Sequence, residues 1–87
     1  MADGDTRAEV IGAIAKVKSI PAEEIGPETE FAEIHVDSLD AIEILFELEE
    51  RFDLSVPDEA VQGMERVGQV IEAVERALAE RAEAAPD

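Results

Sequence analysis

The sequence has no cysteine, no tryptophan and no tyrosine, and its aromatic content is only 3%. Without cysteine, the chain's own side chains form no disulfide, no thiolate metal site and no thiol nucleophile. This composition is typical of a reducing compartment, and we expect a cytoplasmic protein. The apolar runs are too short to span a bilayer, and the first residues show no basic-plus-apolar signal pattern, so we expect no membrane insertion.

Basic residues are also scarce: 7 lysines and arginines stand against 23 aspartates and glutamates, which gives a formal net charge of −16. Such a charge repels nucleic acid and anionic membrane surfaces, so protein partners should present lysine and arginine. The hydrophobic fraction of 46% is nevertheless too high for a disordered acidic chain. We expect one small monomeric domain over residues 1–87, with residues 1–5 and 80–87 frayed.

Catalytic and metal-binding motifs are missing as well. The only histidine, His35, lies in the same short run as Asp37 and Ser38, whereas a catalytic triad needs groups that converge from separated elements. Glycine-rich phosphate loops and EF-hand ligand spacing are absent. A domain of this size also leaves little room for a substrate pocket. We therefore expect no enzymatic activity, no catalytic residues and no bound metal.

The apolar residues that are present recur at helical spacing and predict an all-α fold. The expected architecture is a four-helix bundle with three long helices, one short third helix and a long first loop. A capping box formed by Thr6 and Glu9 should open the first helix, which ends near Lys18 because Pro21 follows. The other predicted helices run from Ser38 to about Phe52, from Asp58 to Gln62, and from Glu65 or Arg66 to about Arg81. Single helical turns are predicted at Pro21 to Glu24 and at Glu28 to Ala32.

The core of this bundle is predicted from the apolar stripe of each helix. The predicted core residues are Val10, Ile14, Val17, Phe31, Ile44, Leu45, Leu48, Phe52, Val56, Val67, Val70, Ile71 and Val74. Gly68 interrupts the last helix, at a cost in stability unless close packing requires a glycine there.

The helix that begins at Ser38 carries more apolar residues than one core-facing stripe needs. A second stripe, made of Leu39, Ile42 and Phe46, lies opposite the core and among carboxylates. We interpret it as a docking surface, with apolar contacts for affinity and carboxylates that steer basic partners. The alternative is a helix buried on two sides, although its glutamates would be costly to bury. The predicted partner-binding residues are Leu39, Asp40, Ile42, Glu43, Phe46, Glu47, Glu49 and Glu50.

Asp37 is the predicted N-cap of this helix, which places the Ser38 hydroxyl in its first turn. A serine without a base is a poor nucleophile, so we expect another enzyme to modify Ser38. Free N–H groups and the helix dipole favour a bound phosphate ester at this end, whereas Asp37 and Asp40 repel it unless a cation neutralises them. From these residues alone, a second capping role without chemistry is an equal alternative for Ser38.

The run Asp37-Ser38-Leu39-Asp40, followed by an acidic amphipathic helix, resembles the acyl carrier protein family in its discrete, type II form. The resemblance extends from about Val10 to Leu78, and the segment from Glu49 to Glu59 is similar to the family's transition into a short helix. It implies that Ser38 carries a covalent 4′-phosphopantetheine arm. It also implies that Asp37 caps the helix and helps to place the metal during transfer of the arm.

The same resemblance implies the function and the partners. A phosphopantetheinyl transferase, using Mg²⁺, would move the arm from coenzyme A onto Ser38. The carrier would hold acyl intermediates as thioesters for fatty-acid or polyketide biosynthesis, and would present them to acyltransferases, ketosynthases and reductases with basic docking patches. The bundle interior is expected to shelter the acyl chain. The sequence departs from the family pattern at two points: position 35 is histidine where glycine is common, and the stretch from Phe31 to Ser38 is one residue shorter. A positive φ at His35 would carry a modest cost in free energy.

Two alternatives stay open at this point. A peptidyl or aminoacyl carrier protein would share the fold and the arm but would load amino acids. An acidic helical interaction module would carry no prosthetic group. The negative charge and the aspartate before Ser38 favour the acyl type, and neither the pathway nor the acyl chain is specified by these residues.

Overall fold

The computed structural model describes residues 2–56 and 63–84, and the regular structure in these ranges is helical. Helix α1 spans Ala2–Lys18, α2 spans Ser38–Phe52 and α3 spans Val67–Ala84. The all-α class and the three long helices are confirmed. Within the described ranges, no helix is both long and apolar enough to cross a bilayer.

The predicted short helix from Asp58 to Gln62 lies outside the described residues, so the four-helix count stays a prediction. Gly63, which follows this range, has a left-handed backbone with a φ of 83°. Glycine adopts this conformation at little cost, as it does after the last turn of many helices. Met64 follows and packs half-buried against the core.

Helix α1 begins at Ala2, well before the predicted start. Thr6 lies inside the helix and is buried, with 4% of its surface exposed. The predicted capping box at Thr6 and Glu9 is therefore wrong, because a residue within the helix does not cap its first turn. The end at Lys18 is confirmed: Ser19 has a φ of 60°, and the Ile20 N–H donates to the Ala15 carbonyl at 3.1 Å, which is a left-handed C-terminal cap.

The core forms where α1 packs against both α2 and α3. Its buried apolar residues are Val10, Ala13, Ile14, Ile25, Ile44, Leu45, Leu48, Val67, Val70, Ile71 and Val74. The list of predicted core residues omitted Ala13, because an alanine carries little apolar weight, and also Ile25, which belongs to the long first loop. Four predicted core residues at the ends of elements, Val17, Phe31, Phe52 and Val56, are only half-buried.

The long loop between α1 and α2 is held against the start of α3 by main-chain hydrogen bonds. A 3₁₀ turn at Ala22–Glu24 confirms the first predicted helical turn. The second, at Glu28 to Ala32, is wrong because this backbone pairs elsewhere: Glu30 and Arg66 form an isolated antiparallel bridge. The Phe31 N–H donates to the Glu65 carbonyl at 2.8 Å.

Side chains complete the ends of α2 and α3. Arg81 Nη1 donates to the carbonyl oxygens of Phe52 at 2.9 Å and Asp53 at 2.8 Å, so a cation satisfies acceptors at the C-terminus of α2. Gln69 Oε1 accepts the Glu65 and Arg66 N–H groups at 2.6 and 2.9 Å. Helix α3 accordingly begins at Val67, after this turn, and slightly later than predicted.

Candidate functional site

Ser38 is the first residue of α2 and is exposed. Asp37 precedes it in an extended conformation and is the N-cap, as predicted: its Oδ1 accepts the Asp40 N–H at 2.8 Å. Asp40 returns the interaction, since its Oδ2 accepts the Asp37 N–H at 3.3 Å. This reciprocal capping box was missed from the sequence because its third helical residue is usually glutamate or glutamine, and here it is aspartate.

The capping box leaves the Ser38 hydroxyl available. Asp37 provides the side-chain oxygen that accepts the free N–H group of the first turn. Within the described residues the Ser38 hydroxyl makes no hydrogen bond, so the alternative that Ser38 is a second cap is not supported. The oxygen lies at the positive end of a helix, where a phosphate ester would be stabilised.

His35 lies in the turn that precedes Ser38 and has a φ of 59°. The turn is closed by the His35 N–H, which donates to Ala32 O at 3.2 Å, and by the Val36 N–H, which donates to Phe31 O at 3.0 Å. The position thus adopts the left-handed backbone for which glycine is favoured. No hydrogen bond connects the His35 imidazole to Ser38 in the described part of the chain, so these residues do not form a nucleophile–base pair.

Lys18 is a site residue that the sequence reasoning missed. Its Nζ donates to Asp40 Oδ2 at 2.7 Å and to the His35 carbonyl oxygen at 2.9 Å. The hydrogen bond from Lys18 is the main reason that the pKa of the Asp40 carboxyl lies below its ordinary value, and the bond from the Asp37 backbone lowers it further. The only signal in the sequence was a lysine in the last turn of α1, which is common and points to no particular partner.

A cavity of about 430 Å³ adjoins Ser38 between α2 and α3. Among the described residues its lining is apolar, apart from Asp37 and Ser38. The lining residues are Phe31, Val36, Asp37, Ser38, Ala41, Ile44, Leu45, Leu48, Gly63, Met64 and Val70. The expectation that so small a domain leaves little room for a pocket is wrong, because residues outside the helices, such as Phe31 and Met64, form part of the cavity wall.

A second cavity, of about 390 Å³, lies farther from Ser38 and is lined by Ser55, Val56 and the side of α3 that includes Ala73 and Ala77. Three residues, Leu48, Met64 and Val70, line both cavities. The two spaces are therefore neighbours, but the lining of the second also includes the charged residues Arg76 and Glu80.

The outer stripe of α2 is exposed, as predicted. Leu39, Ile42 and Phe46 have 64%, 41% and 60% of their surface accessible, which excludes a helix buried on two sides. The carboxylates around this stripe differ in their surroundings. Glu43 and Glu50 are exposed and form no ion pair with the described part of the chain, whereas the others make contacts within the molecule.

Asp40 and Glu47 are bound by cations of the chain itself. Asp40 pairs with Lys18, and Glu47 Oε2 lies 3.1 Å from Arg51 Nε and 3.2 Å from Lys16 Nζ. Hydrogen bonds from Arg51 and then Lys16 lower the pKa of Glu47. Glu49 Oε2 accepts the Val56 N–H at 3.0 Å. The predicted set of partner-binding carboxylates thus divides into an unpaired pair and three residues with structural contacts.

The family model described as a phosphopantetheine attachment site matches residues 8–74 of this chain. The matched span includes most of α1, the long loop, all of α2 and the first part of α3. It therefore covers the capping box at Asp37, the exposed serine and the adjoining cavity.

Proposed function

The chain belongs to the phosphopantetheine attachment site family of carrier domains, and we propose that Ser38 is the residue that carries the 4′-phosphopantetheine arm. The observation that carries this proposal is the Ser38 hydroxyl, which is exposed at the start of α2, forms no hydrogen bond with the described residues, and lies next to an apolar cavity. The other described serines, Ser19 and Ser55, do not begin a helix. Domains of this family are generally not catalytic, and we propose a carrier rather than an enzyme.

The residues around Ser38 fit the arm. The phosphodiester would lie over the first turn of α2, where backbone N–H groups and the helix dipole favour an anion. One oxygen of the Asp37 carboxylate, Oδ1, accepts the Asp40 N–H in the cap. The other oxygen is available to help place a metal ion during transfer. In the attachment step Ser38 Oγ loses its proton and forms the phosphoester bond, while 3′,5′-ADP leaves coenzyme A. When attached, the arm supplies a terminal thiol that holds acyl groups as thioesters.

We propose acyl groups of fatty-acid or polyketide biosynthesis as the cargo. The cavity beside Ser38 is lined by Ile44, Leu45 and Leu48, and among the described lining residues Asp37 is the only one with a charged side chain. Such a mostly apolar lining suits a hydrocarbon chain. The peptidyl or aminoacyl carrier is the second candidate, and the identity of the acids that load onto the arm separates the two.

The outer stripe of α2 is the proposed docking face for the phosphopantetheinyl transferase and for acyltransferases, ketosynthases and reductases. Leu39, Ile42 and Phe46 provide apolar area, and Glu43 and Glu50 provide unpaired negative charge. Asp40, Glu47 and Glu49 belong to the same surface but are engaged in contacts within the chain. We propose a monomer, which leaves this face free for partners. We also propose a cytoplasmic location, which the absence of cysteine supports.

The test is incubation of the full chain with coenzyme A, Mg²⁺ and a broad-specificity phosphopantetheinyl transferase, followed by intact-mass measurement. We expect the wild type and Ser55→Ala to gain the mass of one arm, and Ser38→Ala to gain none while keeping the wild-type circular dichroism spectrum. Ser55→Ala is the matched control because it removes another exposed hydroxyl. An unmodified wild type would instead support the acidic interaction module, and modification of Ser38→Ala would contradict the assignment.

A further inference from the structure

Lys18 contacts both sides of the Ser38 loop although it lies at the end of α1. Its Nζ is 2.9 Å from the carbonyl oxygen of His35 and 2.7 Å from Asp40 Oδ2. The first acceptor precedes Ser38 in the chain and the second follows it. A single ammonium group therefore holds the two flanks of the proposed attachment residue at a fixed separation.

On the helix side, this contact is coupled to the cap of α2. The oxygen that Lys18 binds, Asp40 Oδ2, also accepts the Asp37 N–H at 3.3 Å. The capping box brings the carboxylates of Asp37 and Asp40 close together, and like charges at short range repel each other. The ammonium of Lys18 offsets that repulsion, so its removal would weaken the arrangement that sets the backbone direction at Ser38.

On the loop side, the contact holds a backbone conformation that is unfavourable for the residue present. His35 has a φ of 59°, in a region that residues other than glycine rarely adopt. Such conformations persist where several neighbours fix them. Here the turn bonds fix the amide side of His35, and Lys18 fixes its carbonyl side.

We propose that Lys18 is a positioning residue for the modification of Ser38: it holds the loop and the helix start in the arrangement that the modifying enzyme recognises. The inference rests on the proposed attachment of the arm to Ser38. Lys18 does not touch the reacting oxygen; it acts through His35 and Asp40. We call the two hydrogen bonds of Lys18, to the His35 carbonyl oxygen and to Asp40 Oδ2, the clamp. Molecules without the clamp would present Ser38 correctly for only a fraction of the time, and the apparent affinity of the transferase would fall by that fraction.

Lys16 provides a matched control on the same helix. It also pairs with a carboxylate of α2, Glu47, but at 3.2 Å and with a side chain that is 66% exposed, compared with 18% for Lys18. Lys16→Met and Lys18→Met remove the same charge. If lysine acted only through long-range electrostatic attraction, both variants would bind a basic transferase at least as well as the wild type, because each is more acidic. Loss of the clamp predicts weaker recognition for Lys18→Met alone.

The experiment measures KM and kcat for pantetheinylation of each full-length variant with coenzyme A and Mg²⁺. We expect Lys18→Met to raise KM roughly fivefold to tenfold with little change in kcat, and Lys16→Met to leave KM at or below the wild-type value. Lys18→Arg, which keeps the charge and the donors, should recover most of the loss. His35→Gly in the Lys18→Met background should recover part of it, because glycine adopts a positive φ without strain.

Hydrogen exchange gives an independent readout of the same clamp. The amides of Asp37 and Asp40 should exchange faster in Lys18→Met and at the wild-type rate in Lys16→Met. Equal KM values for the two methionine variants, or unchanged exchange at both amides, would overturn the inference while leaving the proposed function intact. A wild-type protein that accepts no arm would refute the proposed function, and this inference with it.

Discussion

Gly68 fixes the long first loop to α3 by allowing two backbones to approach closely. Its N–H donates to the Pro27 carbonyl oxygen at 2.7 Å, and a Cβ at this position would lie 2.9 Å from that oxygen. The neighbouring Val67 N–H donates to Thr29 O at 2.9 Å. Loop carbonyls thus satisfy free N–H groups at the start of α3, a role that side-chain caps often fill. This close contact requires a glycine, which explains why the last helix contains one despite its low helix propensity.

Gly68→Ala should lower the free energy of unfolding by about 1–2 kcal/mol, because the added methyl group displaces the Pro27 carbonyl and weakens the hydrogen bond. The loss should exceed the gain in helix propensity, which is at most about 1 kcal/mol. Urea unfolding followed by circular dichroism measures the change. Gly26→Ala is the control, since no atom lies within 4 Å of its added Cβ, and it should change stability by less than about 0.5 kcal/mol. Equal stabilities for the two variants would contradict this account of the loop.

At the scale of the element, α2 divides two tasks between its faces. Ile44 and Leu48 are buried against the rest of the bundle, while Leu39 and Phe46 are exposed on the opposite side. The carboxylates follow a similar division, since Asp40 and Glu47 are bound by internal cations. On the outer face, Glu43 and Glu50 form no ion pair with the described residues, and Glu49 is bound only by a backbone N–H group. These are the charges that a basic partner would meet first.

Glu43→Lys should reduce kcat/KM for pantetheinylation by roughly threefold to tenfold at low salt, because it reverses an unpaired charge on the proposed docking face. The difference from wild type should narrow as salt is raised, since exposed charges are screened. Glu72→Lys makes the same change at an exposed position of α3 and should have a much smaller effect. If both reversals slow the reaction equally, net charge rather than this face of α2 is what the transferase recognises.

At the scale of the whole molecule, most of the negative charge is unpaired. Among the described residues, carboxylates of four side chains, Glu9, Asp40, Glu47 and Asp53, form ion pairs with lysine or arginine. The formal net charge of −16 is carried by 87 residues. Repulsion at this density favours partners that present lysine and arginine, but it also destabilises the compact state.

The melting temperature should therefore rise when salt is added. Raising sodium chloride from about 10 mM to about 150 mM shortens the Debye length from about 30 Å to about 8 Å. We expect this change to raise the melting temperature by a few degrees. Mg²⁺ at equal ionic strength should raise the melting temperature further. Differential scanning calorimetry measures this directly. Salt also screens the surface ion pairs, but each exposed pair contributes little to the free energy of unfolding. A melting temperature that stays flat or falls would show that charge repulsion is not a significant cost.

Local patterns predicted the parts of the fold and site that depend on a single segment. The cap at Asp37, the exposed stripe around Phe46 and the end of α1 follow from residues that are close together in the sequence. Apart from the start of α1, the parts that failed depend on tertiary partners. Thr6 is inside α1 because the helix extends to Ala2, and the clamp from Lys18 and the cavity beside Ser38 arise only when separate elements come together. The helix expected at Asp58 to Gln62 stays a prediction.

The central claim is that Ser38 carries the arm, and peptide mapping of the loaded protein tests it most directly. The full chain is incubated with coenzyme A, Mg²⁺ and a broad-specificity transferase, digested, and analysed by tandem mass spectrometry with fragmentation that retains the phosphodiester. The account predicts a single modified residue, Ser38, with Ser19 and Ser55 unmodified. A protein that gains no arm under these conditions, or one that carries it on another residue, would contradict the account.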